Sequence, residues 1–509
     1  MGPNWFFNGI PICSEAGRHW MSMKTSQNVS LDDFCIPDSD SSSVDPGSTF
    51  GPELCELPDE FLTREILSAY RASSFRLAFP VLDEVLIENT LRSAYNAPTE
   101  AQTSTAQLSA MACVLAAISM ASHFKSSQQT PNLIDADACA AKARSLLTQA
   151  LGNTSLTTIQ TILLLQLRLM FNGLWQRANM LNSMACSMIC SLGGHFHLDL
   201  ISPRGVSDPQ QREINHTRML FWISYVLDKE ISLRTGNPPL LTDTYCDISL
   251  PDSYMEYETY PPERQELTDS HGEPSGRITP HLPADPRLSL LKEKVCRRLF
   301  SAQALKNDNN QLLLNIRQLD DEIESWRLSI PLPFRPALFV SQSSPLSALG
   351  ECSPHFNRLI SLQLDYHHLM TVIHTTVRKC MPDAGDGDQD LHHVVHSSFD
   401  LSLEASRSTI WCIKVLCTNV TPERSRLIVP YLTTAAMSLF LNILIHPLDH
   451  TAQLDLETLI SVANTVRNTL GGESTHGERS LLQGTSDFVM RLVWLGTCAV
   501  TKATRTERV

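Results

Sequence analysis

The chain has 509 residues, with 40 Lys and Arg against 54 Asp and Glu and a formal net charge of −14. Hydrophobic residues make up 42% and charged residues 18%, so the chain is rich enough in apolar side chains to bury a large core and is not a disordered polyelectrolyte. The acidic balance argues against a surface that grips phosphate backbones, because counterion release needs clustered Lys and Arg, and no segment of this chain is basic enough to serve as a nucleic-acid arm.

Residues 1–60 are expected to form a disordered acidic N-terminal segment. They hold ten acidic side chains against Arg18 and Lys24, so more than half of the net charge sits there. Ser, Asp, Pro and Gly dominate 22–58, as in Asp38-Ser-Asp-Ser-Ser-Ser-Val-Asp45. From about 60 onward the apolar spacing is helical and alternating strand-like runs are nearly absent. The pattern predicts helices near 60–73, 81–95, 101–124, 135–151, 155–171, 174–193, 211–235, 287–327, 355–379, 399–419, 429–446, 454–471 and 484–500. The 155–171 and 174–193 segments are apolar nearly all round, so both must be enclosed, and Gly173 and Gly193-Gly194 supply their stops. Leu312, Ile316, Leu319, Ile323 and Trp326 instead form one buried stripe on an otherwise solvated helix that ends at Pro331, Pro333 and Pro336.

Pro261-Pro262, Pro274, Pro280, Pro283 and Pro286 mark 251–286 as a Pro-rich loop, and the acidic run Asp383–Asp390 marks 381–398 as another. The expected organisation is a first helical half at 61–250, a second at 287–500 and a tail at 501–509. The fold class is all-α, an array of antiparallel helices packed as one large or two associated domains.

Each candidate centre has a plainer structural reading. The fourteen cysteines are scattered without a metal-binding or disulfide pattern, many inside apolar helical runs. They predict reduced core residues in an intracellular protein. Cys186 and Cys190, like Cys412 and Cys417, miss the spacing of a zinc pair. Asp320, Asp321, Glu322 and Glu324 suggest a magnesium-binding helix, but the stripe places them on the wet face. His367, His368 and His374 miss the i, i+4 spacing that a metal helix requires, and His392, His393 and His396 lie beside the acidic loop; all read as mixed core and surface histidine. The loop at 383–388 lacks the closing Glu of a calcium site. No phosphate-cradling loop or nucleophile elbow appears, so no enzymatic motif, catalytic residue or cofactor-binding residue is assigned. Val429–Ile445 carries Thr433, Thr434, Ser438 and Asn442 and is too short to span a bilayer; no membrane partner is expected.

The most informative stretch runs from Arg218 through Trp222, Tyr225, Asp228, Lys229, Gly236, Pro238, Pro239 and Asp243 to Leu250-Pro251. It resembles the central motif of the fungal transcription-factor regulatory domain, the middle homology region of the zinc-cluster regulators. Physically it is an enclosed helix anchored by Trp222 and Tyr225, stopped at a Gly, turned by a rigid Pro-Pro pair and continued as an acidic extended segment. Three other places fit the resemblance: Phe75-Arg-Leu-Ala-Phe79-Pro80-Val-Leu-Asp83, Cys190-Ser-Leu-Gly-Gly194-His195 and Tyr366-His-His-Leu369. Gly194 stands where the family usually has leucine, and Ser187 where it has arginine. Coverage is about 70 to 450.

The resemblance implies a nuclear transcription regulator controlling RNA polymerase II, with the family residues Phe79, Pro80, Trp222, Tyr225, Asp228, Gly236, Pro238, Pro239, Asp243 and Pro251 in structural roles. Its implied partners are DNA, transcription machinery or coactivators, a homo- or heterodimer mate and a small-molecule effector. The family's N-terminal six-cysteine cluster holds two zinc ions. Cys13, Cys35 and Cys55 are isolated among acidic residues and cannot build it, so the DNA-reading module is expected to be lost or to lie upstream. Asn4–Trp20 is similar to a segment that follows the cluster in some members. A regulator acting through dimerisation with an intact paralogue is the second expectation, and a metal-dependent helical enzyme built on Asp320 and Asp321 the third.

Overall fold

The computed structural model describes residues 6–7, 10–12, 14–30, 56–96, 104–120, 134–152, 154–196, 208–249, 284–340, 356–377, 389–418, 422–469 and 476–507. The fold is all-α, accompanied only by a small hairpin among the described residues, β1 (Phe6–Phe7) against β2 (Ile10–Pro11). The chain divides into two compact units. The motif unit comprises Val44–Ile231 and Pro239–Leu290; the second comprises Met1–Ser43, Ser232–Pro238 and Leu291–Val509.

In the motif unit, α2 (Glu60–Ala72), α3 (Ser74–Ala78), α4 (Leu86–Tyr95) and α5 (Thr105–Ser119) precede α6 (Ala136–Ala150), α7 (Leu156–Phe171) and α8 (Trp175–Ser191). The long helix α9 (Asp208–Thr235) begins here. Capping sets the boundaries: Asp59, Ser104, Asp135 and Ser155 each accept an orphan backbone N–H at a helix start. Helix α7 is buried continuously from Thr158 to Phe171, as its all-round apolar sequence requires. Each fully buried aliphatic on it contributes roughly 1.5–3 kcal/mol. It packs against α5 and α8 at the centre of one hydrophobic core.

Gly173 and Gly193 stop α7 and α8 with φ of 77° and 75°. The N–H groups of Leu174 and Gly194 reach back to Leu169 and Ile189 carbonyls, the hydrogen-bond pattern of a left-handed helix end. Gly194 is required for space instead. A Cβ there would fall 2.9 Å from Ile189 Cγ1 and 3.2 Å from Thr217 Cγ2, so this chain has no room for the leucine of the family pattern.

The second unit holds α1 (Glu15–Thr25), α10 (Pro286–Val295) from Leu291 onward, α11 (Asn309–Ser329), α12 (Phe356–Thr375), α13 (Gln389–Thr418), α14 (Pro422–Ile445), α15 (His450–Asn468) and α16 (His476–Glu507). Helices α12, α13 and α14 pack in sequence, and α15 and α16 pack on each other and on that layer.

Three expectations are corrected. The predicted helix at 287–327 is broken: α10 passes into a π-turn at Cys296–Phe300, and α11 restarts where Asp308 accepts the Gln311 N–H. Asn307, Asp308, Asn309 and Asn310 prefer caps to helix interiors, while Asn315 Nδ2 donates to the Arg298 carbonyl beside the π-turn. The expected loop at 381–398 ends early, because α13 already begins at Gln389 and buries Val395 and Phe399. Finally, the expected disorder of 1–60 does not extend over α1, which Ser14 caps and which buries Met21. Residues 31–55 of that segment, with Cys35 and Cys55, and Cys13 itself lie outside the described residues, as does most of the Pro-rich loop.

Candidate functional site

Helix α9 buries nearly every residue from His216 to Leu233, including a carboxylate and an ammonium group, Asp228 and Lys229. Burial of two charges is costly unless every lone pair and proton finds a partner. Here they do. Asp228 Oδ2 lies 2.8 Å from Lys229 Nζ and accepts the backbone N–H groups of Leu240 and Leu241 at 3.0 Å each. Its Oδ1 accepts from Asn182 Nδ2 at 2.9 Å, and Asn182 Oδ1 accepts from Gln166 Nε2 at 3.2 Å. Lys229 Nζ donates also to the Leu241 carbonyl and stands 4.0 Å from the Tyr225 ring centre.

The carboxylate therefore substitutes for missing backbone partners after Gly236, Pro238 and Pro239 have turned the chain. Gly236, with φ 77°, ends α9 by donating its N–H to the Ser232 carbonyl. Pro238 and Pro239 cannot donate, so the first available N–H groups are those of Leu240 and Leu241, and Asp228 takes both. The motif is one lock joining α7, α8 and α9 to the returning chain.

Arg218 forms a second lock one face away. Its guanidinium donates to the carbonyls of Gly194 at 3.1 Å, Asp247 at 2.7 Å and Ser249 at 3.0 Å, and lies over Phe221 at 4.5 Å. Burial lowers its pKa, partly offset by Asp247. Asp247 accepts the Ser249 N–H at 2.8 Å, and its own N–H donates to the His195 carbonyl. Thus the Gly194-His195 element and the 218–249 element, separated in sequence, are stitched together. Trp222 and Tyr225 pack edge to face at 5.5 Å beside Phe221, and the Trp222 indole N–H has no acceptor among the described residues.

The Phe79-Pro80 element has its own anchor. Phe75, Phe79 and Phe171 form an aromatic cluster with centres 5.1–5.9 Å apart, and Tyr70 Oη donates to the Phe79 carbonyl. Burial raises the Tyr70 pKa. The Val81 carbonyl is met by His216 Nε2 and Gln160 Nε2 at 3.1 Å each, and burial lowers the His216 pKa. Asp83 Oδ1 accepts the Val85 and Leu86 N–H groups and binds Arg212 at 2.7 Å. Of the motif residues, Asp243 is half-buried on the returning segment and Pro251 lies outside the described residues.

In the second unit the sequence understated burial. His367, His368 and His374 are all buried on α12. His367 Nε2 lies 2.9 Å from the Ala337 carbonyl, and burial pushes its pKa down to about 4. Asp365 accepts from Lys292 Nζ at 2.9 Å and Tyr431 Oη at 2.7 Å. The acidic run on α11 is less solvated than expected: Glu322 binds Lys294 and Arg298, and Asp320 Oδ1 lies 2.9 Å from His374 Nε2. His374 Nδ1 is 2.7 Å from Ser398 Oγ. These are the residue types of an acyl-transfer relay, but Ser398 stands within α13, whose interior backbone N–H groups are committed to helix bonds and give no oxyanion-binding pair. The trio ties α11, α12 and α13 together.

No group of three or more His, Cys, Asp or Glu converges as a metal site among the described residues. The described cysteines are free, and burial pushes Cys113, Cys412 and Cys417 up to about 12, opposite to what a thiolate ligand needs. These residues do not fit the family's two zinc ions. No helix among the described residues is long and apolar enough to cross a membrane.

The site is thus a set of buried locks around the 218–249 motif, and comparison with known proteins matches that region. The model of the fungal specific transcription factor domain matches residues 72–328. The chain belongs to the fungal specific transcription factor domain family. An ABC-transporter-regulating transcription factor of Aspergillus oryzae is 29% identical over 289 residues, 54% of this chain and 30% of that protein. The protein of the same description in Aspergillus fumigatus is 28% identical over the same length. An uncharacterized transcriptional regulatory protein of Schizosaccharomyces pombe is 26% identical over 265 residues, 51% of this chain and 31% of the relative. The match therefore spans about a third of the length of these curated relatives. No solved structure matches the chain. The relatives that match are described as transcription factors and transcriptional regulatory proteins.

Proposed function

We propose that this chain is the regulatory body of a nuclear fungal transcription regulator, and that it reaches DNA through a zinc-cluster module outside the residues present here or supplied by a dimer mate. The observation that supports the reading is the 72–328 family match together with the physical integrity of its motif: Asp228 accepts the Leu240 and Leu241 N–H groups, and Arg218 donates to the Asp247 carbonyl. The net charge of −14 is consistent with a body that does not itself grip phosphates. Contacts with coactivators or the transcription machinery would set output, and a small-molecule effector is the family-based ligand class. The two zinc ions belong to the outside module. The Aspergillus relatives suggest transporter genes as a target class.

Two experiments test this. Fused to a heterologous DNA-binding domain, the 509-residue chain should change transcription of a reporter carrying that domain's site; an unaltered reporter counts against a regulatory body. In a gel-shift assay the chain alone should show no sequence-specific complex. Specific binding would overturn the claim that DNA reading comes from outside. Co-purification with a zinc-cluster paralogue, and a shift only in its presence, would favour the dimer-mate route.

A further inference from the structure

The N-terminal arm is placed unexpectedly for an acidic segment. Helix α1 packs on α14 and α16 of the second unit, hundreds of positions away in the chain. One face, Gly17, Met21 and Thr25, is buried there, and Ile12 before the helix and Val29 after it are buried as well. The spacing of four between these three puts them on one stripe, so a single helix face makes the contact.

The arm is also locally self-sufficient. Ser14 Oγ accepts the Gly17 N–H at 3.1 Å, and Ser26 closes the other end in the left-handed region with φ 55°. Ser22 Oγ accepts the Val29 N–H at 3.2 Å, folding the chain back into a hook. A side-chain tie from afar is Lys502 Nζ, which donates to the Met23 carbonyl in the last turn of α1. An ammonium at that end also meets the negative end of the helix dipole. Lys502 is exposed, so the latch is open to solvent.

A self-capped helix that rests on a narrow apolar stripe and an exposed latch belongs to the low-stability end of a fold, where local opening precedes global unfolding. We propose that Ser14–Val29 is a releasable clasp, which closes α1 onto α14 and α16 and whose opening frees that face. The occupant of the face is this arm itself. Covalent attachment makes closure intramolecular, so dilution does not weaken it. Closure holds α1 beside α16; opening releases both. The inference goes beyond the regulator reading and holds whether or not that reading survives.

Hydrogen exchange on the full chain, read by mass spectrometry, tests it. In Met21→Asp, amides of α1 should exchange roughly tenfold faster or more, with acceleration in the last turns of α16 and none in α7. Lys502→Ala should accelerate the same two places to a smaller extent. Addition of a synthetic peptide of residues 12–29 to Met21→Asp should restore protection to the end of α16. Unchanged exchange at α16 in Met21→Asp would overturn the clasp. So would acceleration through all helices of the second unit, since the arm would then be core, and so would failure of the peptide to restore protection.

Discussion

Asp228 accepts the backbone N–H groups of Leu240 and Leu241, twelve and thirteen positions further along the chain. One side chain thereby closes the Gly236–Pro239 turn, and its charge is matched by the neighbouring Lys229. An acid directly followed by a base looks like a surface pair in sequence, yet both groups are fully buried and serve as the motif's structural centre.

Asp228→Asn should be strongly destabilising. The amide keeps the shape but leaves the Lys229 ammonium buried without its counter-charge, a loss of about 3–5 kcal/mol. Urea denaturation followed by circular dichroism measures it. The double variant Asp228→Asn with Lys229→Met should recover a large part of the loss; a single variant within about 1 kcal/mol of the parent would contradict a buried pair.

The two neighbouring glycines at the end of α8 should respond differently to substitution. Gly193 has φ 75° with open space around it, so Gly193→Ala pays only the left-handed backbone cost of about 1–2 kcal/mol, and Gly193→Asn less. Gly194 is crowded by Ile189 and Thr217, so Gly194→Ala costs about 1–3 kcal/mol and Gly194→Asn no less. Thermal melts of the four variants separate the two causes.

His367 should make the protein acid-sensitive. Burial holds its folded pKa near 4 against an ordinary value of 6.5, so between these values the unfolded chain binds the extra proton. The neutral imidazole contributes its full stability above pH 6.5, and that stability is lost as pH falls toward 4, by about 3 kcal/mol in all. Burial of the whole ring is the physical reason, since a second proton would place a charge away from water. His367→Gln should flatten the stability curve between pH 6.5 and 4; an unchanged slope would assign it to other groups.

Tyr431→Phe removes a hydroxyl that donates to the buried Asp365 carboxylate, and should cost about 1.5–3 kcal/mol. Lys292→Met should cost more, because it leaves the charge of Asp365 uncompensated. A chemical-denaturation series on both variants tests the order, and equal losses would mean that the ammonium contributes no more than a neutral donor.

Much of the helical order was legible without coordinates. The all-round apolar run at 155–171, stopped by Gly173, could only be an enclosed helix, and α7 matches it. Helix α8 also forms where 174–193 predicted it, but it is not enclosed, since it buries only Ala178, Asn182, Ala185, Cys186 and Ile189 and leaves Met180 exposed. The motif's Trp222, Gly236 and Pro-Pro turn were visible as residue types with fixed backbone and packing consequences. What escaped were features whose partners lie far off in sequence. Helix α1 has its apolar stripe diluted by polar residues and is stabilised against α14 and α16, hundreds of positions away. Glu322 looked solvated because Lys294 comes from before the π-turn and Arg298 from within it, a break that helical periodicity hides.

By itself the sequence determined the all-α class, the enclosed helix at 155–171, the glycine stops and the motif that marks the family, because these follow from periodicity, backbone freedom and volume. Only the tertiary structure decided which polar groups are buried. Asp228, Lys229, Asp365 and the α12 histidines are charged or titratable residues that composition assigns to the surface, and they go inside because distant backbone and side-chain partners satisfy them there. The net charge of −14 could be counted residue by residue, but which of its carboxylates meet water was settled by packing alone.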